Sequence, residues 1–273
     1  MTKSKTEDST FNETQKSQEI YRNLWGGDDL HVGIYNDENL SPAEAARATT
    51  DRMLRLLPRI KRSSRILIIQ SGFGTAARYI ANENKCKVDC LNEDEVQNAY
   101  NQEQIDAMDL TKRVKVAKGG VDYMPYAPET FDMVIAQDSF SITARKGQMF
   151  RAIHRVMKPE GRLVFSAIMR SEDHGDDPRI EKLPVEELIT AEDYDYQAQR
   201  GFFQQIYSLE LSRHLATHFR KMGESLEENR AKLVKKSSKK FVDQRIAVNK
   251  AFHELAEEGV LKWGILMFQK LNG

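Results

Sequence analysis

Little in this 273-residue chain points to an oxidising compartment or a membrane. Only two cysteines occur, Cys86 and Cys90. They lie in one extended stretch that separates their Cα atoms by about 13 Å, so they cannot bridge each other, and a reducing compartment agrees with that. No apolar run approaches the roughly 18 residues that a membrane helix needs, and the opening "MTKSKTEDSTFNETQKSQ" has no apolar region of the kind that targets secretion. The expectation is a cytoplasmic protein with no membrane partner. Charge of either sign is not in excess: 41 Lys and Arg balance 41 Asp and Glu. No overall field recruits nucleic acid or anionic lipid, and a nucleic-acid partner would require a local patch. Internal repeats and low-complexity linkers are missing too.

What is present reads as one α/β core with an elaboration. Residues 1–18 are polar and aperiodic, the mark of a flexible tail, with order beginning near Tyr21. "LSPAEAARATTDRMLRLLP" carries a helix start at Ser41, with Pro42 in the first turn, Glu44 closing a capping box and Pro58 ending the run. Apolar "RILIIQ" follows, then a helix from about Gly74 to Glu83, strand "KVDCL", helix "EDEVQNAYNQEQIDAM" and strands "RVKVA" and "FDMVIAQ". Helix "GQMFRAIHRVMK", a "PEG" turn and strand "RLVFSAIM" complete the alternation. This spacing predicts right-handed crossovers and a mostly parallel sheet, spanning with its N-terminal helices residues 19–170. Ligands on such sheets sit beyond the carboxyl ends of the strands, at Gln70–Gly74, Leu91–Glu95, Gly119–Met124, Gln137–Ser141 and Ala167–Ser171. Residues 171–258 read as an appended helical cap that includes two long charged helices from about Leu211 to Glu258. Residues 259–273, containing "LKWGILMFQK", read as a strand returning to the sheet along an antiparallel edge.

The candidate chemistry gathers at those tips. In Ser71-Gly72-Phe73-Gly74 two glycines let backbone approach a ligand, although tight packing alone writes the same pattern. Asn92 stands where a ribose would meet a hydrogen-bonding side chain, and Asn92 or Glu93 would equally cap the next helix. Asp122 is placed for an adenine amino group or for a turn. Arg170 offers a guanidinium to a carboxylate or to solvent. His214 and His218 have metal-ligand spacing without a third ligand and read as helix-surface histidines. "KKSSKK", Lys235 to Lys240, lacks interleaved aromatics and reads as a solvated connection.

With "YRNLWGGDDLHVGIY", "SGFGTAARYIA", "CLNEDEVQNAYN", "MPYAPETFDMVIAQDSF", "RVMKPEGRLVF" and "GVLKWGILMFQK" in this order, the chain resembles the sarcosine/dimethylglycine N-methyltransferases. The likeness runs from about Tyr21 to the end. It implies a Rossmann-like class I methyltransferase sheet with a helical cap, S-adenosylmethionine as cofactor, a small-molecule amine as substrate, and methylation toward the osmoprotectant glycine betaine. By the same resemblance Ser71, Gly72 and Gly74 approach the cofactor, Asn92 binds its ribose, Val121 and Asp122 flank adenine, and Gln137 and Asp138 stand beside the methionine moiety. Tyr21, Trp25, His31 and Tyr35 close over cofactor and substrate, with Tyr35, Phe140, Met169 and Arg170 on the substrate side. Aromatic faces can stabilise a sulfonium or quaternary ammonium, and Tyr21, Trp25, Phe73, Tyr126 and Phe140 are candidates, each of which would serve equally as core.

The sequence departs from the family pattern at Ile68, where an acidic residue is usual, at Gln70, where glycine is usual, at Ser141 and at Ala167-Ile168. A hydrogen bond to a charged group is worth about 1.5 to 3 kcal/mol, so the departures at Ile68 and Gln70 predict weakened cofactor binding. Two readings follow: an active N-methyltransferase, or a catalytically impaired relative that serves an active paralogue. Pairing with that paralogue, or a homo-oligomer, is compatible with the charged helices.

Overall fold

Strands with almost no polar face build the centre of the molecule. The computed structural model describes Arg22 and residues 27–121, 123–174 and 177–272. Strand β1 (Arg65–Ile69) buries four of its five residues, with Ile66 and Ile68 in one apolar cluster and Leu67 and Ile69 in another. A strand covered on both sides needs such an uninterrupted run. It pairs in parallel with β2 (Lys87–Asn92) and β4 (Phe131–Gln137), and β3 (Val114–Lys118) and β5 (Met157–Arg170) extend the parallel set outward.

Two further strands, β6 (Phe203–Glu210) and β7 (Leu261–Lys270), complete a seven-stranded sheet in the order β3-β2-β1-β4-β5-β7-β6. The C-terminal strand is antiparallel as expected, but it is interior: β5 flanks it on one side and β6 on the other. The edge belongs to β6, which lies inside the stretch read as helical cap. Its burial alternates residue by residue from Phe203 to Glu210, although the pairing with β7 shifts between Gln205 and Tyr207. Gln205 falls on the half-buried face and Ile206 on the exposed one, which hides the two-residue period in the sequence. The "PEG" residues fall within β5, where pairing jumps from Met157 to Arg162 opposite Phe131 and Met133.

Helix α1 (Pro42–Leu56) begins as its sequence dictates, the Ser41 hydroxyl accepting from the Glu44 amide while the Glu44 carboxylate accepts from Ser41. Extended Leu57 and Pro58 then stop it. Helices α2 (Thr75–Asn84) and α3 (Glu95–Ala107) follow β1 and β2, and α4 (Lys146–Val156) follows β4. Asp94, rather than Asn92 or Glu93, caps α3 by accepting from the Gln97 amide. Helix α5 (Ala191–Arg200) precedes β6.

Where two long helices were expected, three occur among the described residues: α6 (Ser212–Glu228), α7 (Arg230–Lys236) and α8 (Lys239–Glu257). Ser237 and Ser238 break the run, and Ser238 caps α8. Leu215 and Ala216 of α6 and Phe252 and Leu255 of α8 join the core cluster that contains Trp263 and Ile265 of β7. These helices thus cover one face of the sheet.

Candidate active site at the tips of β1 and β4

The turn after β1 is shaped by three residues in the left-handed region: Gln70 (φ 52°), Gly72 (φ 55°) and Gly74 (φ 77°). The two glycines differ in what they face. A Cβ at Gly74 would stand 2.0 Å from the Asn101 side chain, so this glycine is required for packing. A Cβ at Gly72 would meet no atom within 4 Å, which leaves an open cradle above the backbone. Beside it the Ser71 hydroxyl is buried against the Cys90 thiol, a weak hydrogen-bond partner. An open backbone cradle next to a hydroxyl with only a weak thiol partner leaves room and hydrogen-bonding capacity for a nucleoside cofactor, and the residues present fit S-adenosylmethionine on that ground.

Ile68 is 2% exposed within the apolar cluster that holds Met133 and Val32, so no carboxylate braces the turn from beneath. Its bracing comes instead from α2. Arg78 Nη1 donates to the Phe73 carbonyl (2.6 Å) and to Asn101 Oδ1 (2.6 Å), and burial lowers the pKa of this guanidinium. Sequence reading missed Arg78 and Asn101; the signal was a lone arginine in the otherwise small and apolar "TAARYIA".

At the neighbouring tip of β4, Gln137 and Asp138 lie under the segment of residues 27–35. Gln137 Nε2 is 2.9 Å from His31 Nε2 and donates to Thr50 Oγ1 of α1 (3.0 Å). Asp138 takes φ 52° and gathers three donors on its carboxylate: the Val32 amide (2.7 Å), Trp263 Nε1 (2.8 Å) and Ser166 Oγ (2.8 Å). One carboxylate thereby ties β4, β5, β7 and the N-terminal segment together. Trp263 was visible in "LKWGILMFQK" but nothing in the sequence linked it to Asp138.

His214 and His218 lie in the interior, 2% and 0% exposed, which corrects the reading of them as helix-surface residues. His218 Nδ1 meets Tyr35 Oη (2.8 Å) and the Gly33 amide (3.4 Å), and His214 Nδ1 accepts from the Tyr35 amide (3.2 Å). The N-terminal segment supplies the donors that turned this helix face inward. Burial pushes His214 down to about 4 and His218 down to about 3, so both are neutral acceptors near pH 7. No group of three His, Cys, Asp or Glu side chains that could hold a metal occurs among the described residues.

The other candidates scatter. Asn92 is buried and donates to Gln97 Oε1 (2.9 Å), and Val121 is buried at 6% exposure. Phe140 is 0% exposed and packs against Phe150 and Phe165, which makes it core and corrects its placement against substrate. Phe73 is buried edge-on to Tyr100 with the Arg22 guanidinium above it, and Tyr126 packs edge-on to Phe131. Met169 and Arg170 line a groove of about 300 Å³ with Glu210 and Lys262, apart from Gln137 and Asp138, and Arg170 Nη2 stands 3.6 Å from Asp193. The expectations for Tyr21, Trp25 and Asp122 lie outside the described residues. Asp29 was missed; its carboxyl lies among His31, Arg47 and Arg78, and burial pushes it up.

Comparison with known proteins bears on the fold. Residues 67–165 match a family model described as "Methyltransferase domain". Together with the 3-2-1-4-5-7-6 sheet, the match makes the fold that of a class I S-adenosylmethionine-dependent methyltransferase. Along most of its length the chain is related to the sarcosine/dimethylglycine N-methyltransferases. The Halorhodospira halochloris sarcosine/dimethylglycine N-methyltransferase is 26% identical over 94% of this chain and 93% of its own. The Actinopolyspora halophila glycine/sarcosine/dimethylglycine N-methyltransferase is 30% identical over 93% of this chain, which spans 45% of that longer protein. A Galdieria sulphuraria structure assigned as a sarcosine dimethylglycine methyltransferase superposes with a TM-score of 0.89 at 23% identity, covering 95% of this chain and 98% of the other; that likeness carries the fold.

Proposed function

We propose that this protein methylates the nitrogen of sarcosine and dimethylglycine and so produces glycine betaine. The observation that carries the reading is the likeness to the Halorhodospira enzyme, which covers 94% of this chain and 93% of that one. S-adenosylmethionine supplies a methyl group already activated on a sulfonium, which leaves as a neutral thioether. The protein then has to bring an unprotonated amine lone pair into line and exclude water.

Its own residues divide that work. Gly72 gives backbone access, Ser71 offers the spare hydroxyl, Asn92 takes ribose and Val121 with Asp122 flanks adenine. Gln137, held between His31 and Thr50, faces the methionine end, and Asp138 fixes the strap that carries His31 and Tyr35. The resemblance assigns Tyr21 and Trp25 to the same task of closing over cofactor and substrate. Met169 and Arg170 are assigned to the substrate side, with Arg170 as the cation for the acceptor's carboxylate.

Ile68 and Gln70 weaken cofactor binding relative to an enzyme with aspartate and glycine there, because the apolar Ile68 supplies no carboxylate beneath the turn and Gln70 puts a side chain where glycine has none. Calorimetric titration with S-adenosylmethionine and its demethylated product tests this. Saturable binding, with mass-spectrometric detection of glycine betaine from dimethylglycine, supports the reading. Silence at millimolar ligand refutes it.

A further inference from the structure

The opposite end of the parallel strands carries a pole of positive charge. Strand register sets Arg65 beside Lys87 and Asp89 beside Lys115, and the Val88 amide donates to the Arg113 carbonyl (2.8 Å). The starts of three strands therefore bring Arg65, Lys87, Lys112, Arg113 and Lys115 to the rim of one cleft of about 250 Å³. Its single acid is Asp89, 4% exposed, which accepts from Arg65 Nε and Nη2 at 2.9 Å each. That pair cancels itself. Lys87, Lys112, Arg113 and Lys115 have no ion-pair partner among the described residues, whereas Lys158 pairs with Asp132 at 2.8 Å and Arg220 with Glu224 at 2.9 Å.

An excess of four cations in one hollow is conspicuous in a chain of zero formal net charge. Like charges held on neighbouring strands repel one another, and Asp89, taken by Arg65, does not offset that. An anion would. The volume lies below the roughly 300 Å³ at which pockets for drug-sized ligands begin, which suits a small anion. No aromatic side chain lines the cleft, so bases have nothing to stack on.

We propose that this cleft binds a small phosphate-type polyanion, with Arg113 supplying the forked donor and Lys87, Lys112 and Lys115 the surrounding charge. The site is independent of the methyl-transfer reading. Arg65 opens β1 and Gln70 follows its end, so the two sites are separated by about 16 Å of extended chain.

The test is calorimetric titration of the full chain with inorganic pyrophosphate at fixed ionic strength, alongside the K87A/K112A/K115A variant. The three lysines are exposed, and thermal melting checks that the variant stays folded. The expected result is saturable binding that weakens with added salt, falls at least about ten-fold in the variant, and is unchanged by saturating S-adenosylhomocysteine. Absence of saturable heat, equal affinity in the variant, or displacement by S-adenosylhomocysteine overturns the proposal. Tighter binding of a single-stranded oligonucleotide than of pyrophosphate through the same lysines overturns it as well, in favour of nucleic acid.

Discussion

Gln70 and Asp138 hold a backbone angle that costs an L-residue about 1–2 kcal/mol, and they do so on adjacent strand tips at the site. Strain of this kind persists where surrounding contacts over-determine it. At Asp138 those contacts are three donors on one carboxylate; at Gln70 no comparable set exists. Gln70→Gly is therefore expected to raise stability by up to about 1 kcal/mol, the relief of the angle being partly offset by the entropy of the unfolded glycine. It should also tighten S-adenosylmethionine binding, both read by melting with and without ligand. Ile68→Asp is expected to lower stability instead. The position is 2% exposed in an apolar cluster, and an unpartnered carboxyl there should cost several kcal/mol in denaturant unfolding, of order 3 or more. An increase in stability on Ile68→Asp would refute the placement of this side chain.

Among elements, the segment over residues 27–35 matters most to the site, because it reaches α1, β4 and α6 without belonging to a helix or strand. Gly33 allows this. A Cβ there would lie 2.4 Å from that of Ala45 and 2.7–2.9 Å from the Ala45 and Ala46 backbone, so Gly33→Ala must lift the segment off α1. The expected result is weaker cofactor binding by about ten-fold or more with most of the melting temperature retained, since the sheet is untouched. The alternating strands and helices from 42 to 170 were legible because each buried run carried its own period and punctuation: Ser41, Glu44 and Pro58 bounded α1, and the apolar β1 could only be covered on both faces. Strand β6 was not, because polar Gln205 sits on its half-buried face and apolar Ile206 on its exposed one. The partners of the two histidines were not either: which element donates to them is decided by Gly33 and Tyr35, some 180 positions away in the chain.

At the scale of the whole molecule, the buried histidines set a pH dependence. His214 and His218 stay neutral in the folded state down to about 4 and about 3, while in the unfolded chain they take up a proton below about 6.5. Their effect is nil above that value, and stability falls as pH drops through the window below it, by about 1.4 kcal/mol per pH unit for each histidine. His218→Gln should remove one such increment from the slope of unfolding free energy between pH 6 and about 4; an unchanged slope would contradict the burial.

The bond from Trp263 Nε1 to Asp138 (2.8 Å) has a practical consequence. The chain has two tryptophans, so Trp25→Phe leaves a single indole, its nitrogen resting on a carboxylate at the tip of β4. Emission from that fluorophore should report any ligand that shifts Asp138 without a label of any kind, turning the C-terminal strand into an optical gauge of occupancy.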